Sequence, residues 1–586
     1  MSQMYLERAS GVPSRVFARV REYVAGPSAQ RVFAAIAGLL GVPALVLGLT
    51  TDDRSFFVHV RHEGAAPLTL FTFAASASDV LESMQLGELP WWASPESRVS
   101  FFRPLSSLWH YVEFAYWPQA TWLMALENLA LYVATVWVAA RVYRRLLPDR
   151  FTAGLAGLMF AIDEGHANAV GWISSRNTVL SALLSLLCLD AHLDARQSRS
   201  GGARARSTLF AALALAAGEG GVASLAYLIA YAIVCESGSW RARAESLAPQ
   251  LAVFALWLIA YAVGGHGARG TTFYRDLSQP LTLLTEGVLD LPLHLFSLLG
   301  LSVVSAGLTF PPAYARIVAL VLVLPLLVAV ARKRSWSAPD RFFALCGALC
   351  LPSAFTTLAQ DRVLFAASFG AFGLIASVLS GLAGSTTRTK RVARRIFIGS
   401  HLVIAPLMFV PALSANAPLD KAASQLARQL PAAGAQSTVL VNAPYEMLPM
   451  YARATYSIEH GTPAPVLRAL YVGASELSVT RLDERTLEVA AARGWGELPV
   501  ERGCVERRLL PRPGHARSLG DMRAQVTEAN AEARPLRVRF EFTSELEAQS
   551  RQWLIWQGTR AVSWTLPRVG ERVVLPALKP WEALPL

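Results

Sequence analysis

The sequence has few charged residues and few cysteines for its length. Charged residues make up 16% of the 586 positions, whereas hydrophobic residues make up 53%. A typical soluble domain carries about 25% charged residues, so the composition argues against a soluble protein and indicates a membrane protein. Of the five cysteines, only Cys504 lies in the polar C-terminal part of the chain, which excludes a disulfide framework there.

Long apolar runs recur along the chain as far as about residue 413. The first, 32–50, is long enough to span a bilayer, which takes roughly 20 residues. No short basic leader precedes it and no small-residue cleavage site follows it, so we expect a retained anchor. An amphipathic stretch, 281–301, is expected to lie at the outer interface. About eleven spans are predicted, at 32–50, 120–140, 151–162, 177–193, 207–218, 221–236, 250–265, 313–331, 341–358, 363–384 and 396–413.

Basic residues cluster on alternate loops between these spans. The six clusters fall within 8–21, 141–150, 196–206, 241–243, 332–334 and 388–395. Short loops rich in arginine and lysine stay in the cytoplasm. We therefore expect a protein of the cytoplasmic (inner) membrane whose N-terminal segment, 1–31, lies in the cytoplasm. With an odd number of spans the C-terminus is extracytoplasmic. The net charge of +12 is largely this topological signal, and its dispersal argues against a nucleic-acid partner.

The change in pattern near residue 413 predicts two domains. Residues 32–413 are expected to form an all-α polytopic membrane domain with a large external loop at 51–119. Residues 414–586 are expected to form an extracytoplasmic α+β domain. Alternating residues predict strands at 437–444 and 536–544, a hairpin around 483–485, and two strands joined at Gly558. This domain contains no catalytic motif that we recognise.

Acids, histidines and arginines concentrate in loops predicted to lie on the outer side. Asp52 and Asp53 follow the first span directly, and ionisable groups at membrane depth usually line a cavity or take part in chemistry. The next such loop contains AIDEGHANAVGWISSRN (161–177), and a third contains AQDRVLFAASFG (359–370). Because the loops share one side, their polar residues are candidates for one site. Alternatively, the two acids cap the N-terminus of a loop helix.

Three motifs, in this order, resemble those of a known family. They are FRPLSSL (102–108), H-x-x-A-V-x-W-I-S-x-R-N (166–177) and D/E-R-x-L-x-x-x-S-x-G (361–370). Over roughly residues 33–413 the chain resembles the membrane half of the tetratricopeptide-containing O-mannosyltransferase-like proteins, which belong to the GT-C class of polytopic glycosyltransferases. The resemblance implies a GT-C fold and transfer of a sugar from a polyprenyl-phosphate-linked donor to an acceptor at the outer face of the membrane. No tetratricopeptide array follows in this chain.

The resemblance also implies roles for individual residues. Asp52 or Asp53 matches an essential acid near the end of the first helix, where a carboxylate can take the proton of an acceptor hydroxyl. Arg362 matches an arginine at the carrier phosphate, and Arg176 and Arg103 are further candidates, because a guanidinium forms paired bonds to phosphate. The expected pocket residues are Glu164, His166, Trp172, Asp361 and Glu219.

Each assignment has an alternative in ordinary membrane-protein structure. Arg176 and Arg362 could be interface anchors, His166 could satisfy a backbone carbonyl, and Glu219 could mark a tight turn. A divalent cation stays open as a cofactor, although no spacing demands one. For the whole chain, one alternative is a non-catalytic scaffold or lipid-binding protein of the cell envelope. A transporter is another, and it would need ionisable residues deep inside spans, whereas most here lie at the outer ends and Glu127 is the best counter-example.

Overall fold

A computed structural model describes residues 22–301, 312–331, 335–382, 387–432, 434, 437–579 and 583. Most of the predicted N-terminal segment and the basic cluster at 332–334 lie outside these residues. The described chain is mainly helical as far as residue 413, with three short strands, and rich in β-strands after it. The predicted order, a helical part and then an α+β part, is confirmed.

The helical part is built from α-helices of very different lengths. Helices α1 to α9 are Ala29–Gly41, Asp52–Arg61, Ala77–Leu86, Pro104–Tyr116, Thr121–Leu146, Arg150–Ile162, Glu164–Gly171, Arg176–Ser198 and Gly201–Ala217. Helices α10 to α17 are Ala223–Val234, Trp240–Val263, Pro280–Leu299, Pro312–Ala331, Ala338–Ala354, Phe365–Leu382, Arg388–Ile398 and Ala405–Leu413.

Among the described residues, eight helical segments are long and apolar enough to cross a membrane. They are Ala29–Val46, Thr121–Leu146, Ile173–Ser198, Trp240–Val263, Pro280–Leu299, Ala313–Ala331, Asp361–Leu382 and Lys390–Ala427. Each of the eleven predicted spans coincides largely with helix, but 151–162, 207–218, 221–236 and 341–358 fall in shorter helices, so eleven crossings are not confirmed. The stretch 281–301, which was expected to lie at the interface, forms most of the continuous helix α12 instead. This helix is long and apolar enough to cross a membrane.

Helices α8 and α15 occupy the centre of the helical part, whereas α11 and α13 expose most of their apolar side chains. Helices α14 and α15 cross where Gly347 meets Gly370. A Cβ atom on Gly370 would lie 2.4 Å from the Gly347 nitrogen and 2.6 Å from the Phe343 oxygen. Small residues at such crossings let backbones approach closely, which favours helix association in membranes.

The C-terminal region, residues 414–579, combines two sheets with helices α18 (Ala417–Ala427) and α19 (Leu448–His460). The strands β4 to β13 are Ser437–Ala443, Leu467–Val472, Leu477–Arg481, Thr486–Ala491, Ala516–Leu519, Met522–Ala529, Pro535–Phe542, Arg551–Gln557, Arg560–Ser563 and Arg572–Leu575. A four-stranded sheet has the order β12-β11-β4-β5, and a six-stranded antiparallel sheet has the order β13-β6-β7-β10-β9-β8. The strands predicted at 437–444 and 536–544, the hairpin at 483–485 and the turn at Gly558 are confirmed.

Part of the loop 51–119 packs into the C-terminal region. Trp91 and Trp92 are buried in its apolar core, and their indole nitrogens donate hydrogen bonds to Leu470 O (3.0 Å) and Glu446 Oε1 (3.2 Å). A small antiparallel sheet of β1 (Thr72–Ala74), β2 (Arg98–Ser100) and β3 (Gly267–Arg269) joins the same loop to the segment after α11. The loop therefore links the helical part to the C-terminal region.

Candidate functional site

The acidic pair begins helix α2, directly after a sharp turn of the chain. Thr51 adopts a φ of +40°, an uncommon conformation for a β-branched residue. Asp52 and Asp53 then occupy the first turn of α2, where acids interact favourably with the helix dipole. The N-cap residue of α2 is Thr51, so the two acids lie one and two positions inside the helix, and their carboxylates contact different groups.

Asp53 is completely buried, and both of its oxygens accept hydrogen bonds. Oδ2 accepts from the Thr50 nitrogen (2.9 Å) and hydroxyl (3.3 Å). Oδ1 accepts from the Ser174 nitrogen (2.6 Å) and hydroxyl. Burial raises the pKa of Asp53 to about 7, and the hydrogen bonds from Ser174 and Thr50 oppose that rise. Asp53 thus fastens the end of the first span to the turn at 173–175.

Asp52 is half-buried and faces the C-terminal region. Its Oδ1 accepts a hydrogen bond from the Tyr451 hydroxyl at 2.8 Å. Burial raises the pKa of Asp52, whereas the Tyr451 bond and the nearby charges of Arg362 and His59 lower it. Asp52, predicted from its position after the first span, and Arg362, predicted from a motif, are therefore close enough for their charges to interact.

Arg362 lies on the short 3₁₀ turn Asp361–Leu364 that leads into α15. Its guanidinium is 4.6 Å from the centre of the Trp172 ring, a cation–π arrangement, and its Nε donates to Gln360 Oε1 at 2.9 Å. Within the described part of the chain, Arg362 forms no ion pair with a carboxylate. Its charge is thus available to an anionic ligand beside Asp52. Trp172, through its contact with Arg362, lies at the same candidate site.

His166 is a buried core histidine. Its Nδ1 lies 3.1 Å from the Phe160 carbonyl and its Nε2 lies 2.8 Å from the Ser368 hydroxyl. The imidazole also stacks on the Phe365 ring with centroids 4.0 Å apart. Both nitrogens are engaged, so this placement fits the structural alternative for His166 better than a direct role at the sugar.

The Asp163 carboxylate lies 3.6 Å from His166 Nε2, and two predicted pocket acids, Glu164 and Asp361, lie near Asp163. Burial raises the pKa of Asp163 well above its ordinary value, and the charges of Glu164 and Asp361 add to the rise. Asp361 also accepts a hydrogen bond from the Ser297 hydroxyl at 3.1 Å. Because Asp361 precedes Arg362 directly, this carboxylate cluster adjoins the Asp52 site.

Arg176 lies away from solvent, in a buried ion-pair network. Its Nη1 is 2.5 Å from Glu113 Oε1 and 3.7 Å from Glu127 Oε2, and its Nη2 donates to the Met124 carbonyl at 2.8 Å. The side chain has no exposed surface. The expectation that Arg176 contacts a carrier phosphate is therefore not supported, because neighbouring carboxylates already occupy its guanidinium.

Arg103 and Glu219 bind each other. Arg103 Nε lies 2.7 Å from Glu219 Oε2, and the guanidinium packs over the Phe71 and Phe101 rings at 4.9 and 4.4 Å. The two residues were predicted for different roles, at the phosphate and in the pocket. Their ion pair joins the start of α4 to the turn before α10.

The sequence reasoning missed Tyr451, which contacts Asp52 from 399 positions further along the chain. No motif marks Tyr451, because its position depends on how α19 docks. Regarding metals, no group of three or more histidine, cysteine, aspartate or glutamate side chains among the described residues could hold an ion.

Comparisons with known proteins give one local similarity. No family model matches the sequence. A stretch of 98 residues, 16% of this chain, is 36% identical to protein O-mannosyl-transferase TMTC2 of Mus musculus, of which it covers 12%. The resemblance stated from the motifs is confirmed at this local level, and the match spans only about an eighth of that relative.

Two crystal structures of ArnT from Cupriavidus metallidurans also match, one bound to undecaprenyl phosphate and one in the apo state. Both are 13% identical with a TM-score of 0.36. The matches cover 73% and 74% of this chain, and 85% and 88% of the two ArnT chains. A TM-score this low does not establish a common fold.

Proposed function

We propose that the chain is a GT-C type glycosyltransferase. It moves a sugar from a polyprenyl-phosphate-linked donor to an acceptor at the outer face of the cytoplasmic membrane. The observation that carries the proposal is that the charge of Arg362 acts on Asp52, because such a transfer needs a base for the acceptor hydroxyl and a nearby cation for the phosphate. The local similarity to an O-mannosyl-transferase supports the same class.

In the proposed reaction, Asp52 takes the proton of the acceptor hydroxyl as its oxygen attacks the anomeric carbon. The bond between that carbon and the phosphate oxygen breaks, and the polyprenyl phosphate leaves with the electron pair. Arg362 stabilises the charge that develops on the phosphate, and its stacking on Trp172 fixes the guanidinium. One base and a phosphate leaving group fit a single displacement with inversion, and a trapped glycosyl-enzyme species would contradict it.

The two acids of the pair take different roles in this proposal. Asp53 already accepts four hydrogen bonds, so it positions α2. Within the described residues, Asp52 accepts one hydrogen bond, from Tyr451, and has capacity left for a substrate hydroxyl. Asp52 is therefore the better candidate for the base.

Purified protein in nanodiscs, supplied with polyprenyl-phosphate sugars radiolabelled in the sugar, tests the proposal. Wild-type protein should release or transfer label, and Asp52→Asn and Arg362→Gln should each lower turnover at least about a hundredfold. The matched controls are Glu82→Gln and Arg61→Gln, on exposed positions of the same loop.

Native mass spectrometry of the same proteins separates the two roles. A bound polyprenyl phosphate should persist in Asp52→Asn and disappear in Arg362→Gln. If only ordinary phospholipid co-purifies and no polyprenyl-phosphate sugar is turned over, the transferase proposal fails and the non-catalytic scaffold takes its place.

A further inference from the structure

A cavity of about 480 Å³ lies between α12, the start of α13 and the loop 499–508 of the C-terminal region. Most of the residues that line it are polar or charged, five of them arginines, and Thr271, Gln279 and Thr282 supply hydroxyl and amide groups. None of the site residues predicted from the sequence lines it.

Most of the cavity's arginines are already paired. Arg316 Nε lies 2.8 Å from Asp290 Oδ1, and Arg275 contacts the other oxygen of the same carboxylate. Arg508 contacts Glu506. These pairs build the wall and leave little charge for a ligand.

Arg502 differs from these arginines. Its Nη1 donates to the Thr272 hydroxyl at 2.7 Å, but its Nε is buried without a hydrogen-bond partner, and it forms no ion pair among the residues the structure describes. Two carboxylates whose charges act on Arg502 bind other groups: Glu446 accepts from the Cys504 nitrogen at 2.8 Å and Glu501 from the Ala474 nitrogen at 3.0 Å. A guanidinium held in this way is suited to an oxyanion.

The loop that carries Arg502 is fixed in place. The Gly503 carbonyl accepts hydrogen bonds from the nitrogens of Thr272 (2.9 Å) and Phe273 (3.1 Å). A Cβ atom on Gly503 would lie 2.1 Å from the Phe273 ring, so the loop and the segment after β3 approach as closely as glycine allows. The cavity is thus preorganised, which lowers the cost of binding a ligand.

The segment that contains Leu358 and Ala359 connects the cavity wall to Arg362. Arg275 N donates to Thr356 O at 2.8 Å, and Leu358 N donates to Phe273 O at 3.0 Å, so the two cavity-lining segments pair with each other. Leu358 and Ala359 line the cavity, and Arg362 follows three residues later.

We propose that this cavity binds the acceptor. The acceptor carries hydroxyl groups and an oxyanion, and Arg502 binds the oxyanion. This rests on the proposed function. The oxyanion belongs to a phosphomonoester, either a soluble sugar phosphate or a phosphorylated lipid headgroup, because both present the same group to the guanidinium fork.

Binding to the purified full chain, measured by isothermal titration calorimetry without donor, tests the cavity directly. The probes are glucose 6-phosphate, short-chain phosphatidic acid, and glucose as the uncharged control. We expect at least one phosphorylated probe to bind, and to bind about tenfold or more weakly to Arg502→Gln. Arg502→Lys should lose less, and Arg512→Gln, an exposed arginine outside the cavity, should bind as wild type.

The two phosphorylated probes distinguish a lipid acceptor from a soluble one. A site for a lipid headgroup should prefer phosphatidic acid, and a site for a soluble acceptor should prefer the sugar phosphate. Equal binding by wild type and Arg502→Gln, or no binding of either probe, overturns the proposal. So does loss of co-purifying polyprenyl phosphate in Arg502→Gln, because the cavity would then hold the donor. Failure of the proposed function appears elsewhere, as absent donor turnover in wild-type protein.

Discussion

Asparagine substitutions at the two adjacent acids should have opposite consequences. In Asp53→Asn, an amide NH₂ replaces one oxygen and cannot accept, so the peptide N–H of either Thr50 or Ser174 is left buried without a partner. An unsatisfied buried donor costs about 1–3 kcal/mol, and the surviving bond loses its charge assistance, so we expect a loss of about 3 kcal/mol in the free energy of unfolding. Asp52→Asn keeps an oxygen for Tyr451 and should cost about 0.5 kcal/mol or less.

Thermal unfolding in detergent, followed by tryptophan fluorescence, measures the first effect, and donor turnover well below the transition measures the second. Asp53→Asn should unfold at a temperature several degrees below that of wild type and keep part of its turnover. Asp52→Asn should unfold at the same temperature as wild type and lose its turnover. Ser174→Ala, which removes one hydroxyl and keeps the peptide N–H, should lie between wild type and Asp53→Asn. An Asp53→Asn protein that is as stable as wild type but inactive, beside an active Asp52→Asn protein, would refute the assignment of roles.

Three further outcomes are expected. Tyr451→Phe removes a bond that lowers the pKa of Asp52, so the acid limb of the kcat/KM profile should move to higher pH, and an unmoved limb would show that another group is the base. Arg54→Gln breaks a 2.9 Å ion pair with the C-terminal region, so limited proteolysis should release that region faster than from wild type. Arg176→Met leaves Glu113 buried without its cation and should cost about 3–5 kcal/mol in thermal unfolding, which a second substitution, Glu113→Gln, should partly restore.

Local patterns predicted much of the fold. The apolar runs coincide with helices, and the alternating segments at 437–444 and 536–544 are strands, because each pattern reports which side of one element is buried. The number of crossings was not predictable in this way. Helices such as Gly201–Ala217 are apolar but shorter than a bilayer needs, and their neighbours decide their depth.

The candidate site was predictable only in part. Asp52 was identified from its position after the first span and Arg362 from a motif, and in the structure their charges interact. The same kind of evidence did not predict the buried ion pairs of Arg176, because residue spacing does not show whether a guanidinium faces a cavity or two neighbouring carboxylates. Tyr451 was out of reach for the same reason, since its contact depends on docking between distant parts of the chain.

The C-terminal region has a direct effect on the proposed base. It contacts α2 through Tyr451 at Asp52 and through Asp420 at Arg54, two residues apart on one helix turn. Burial is the largest influence on the pKa of Asp52 and raises it, whereas the Tyr451 bond lowers it by less. Because its pKa is raised, Asp52 is a stronger base than an exposed aspartate, and the docked region acts on it through Tyr451. The same docking positions Arg502, so base strength and acceptor binding depend on one interface.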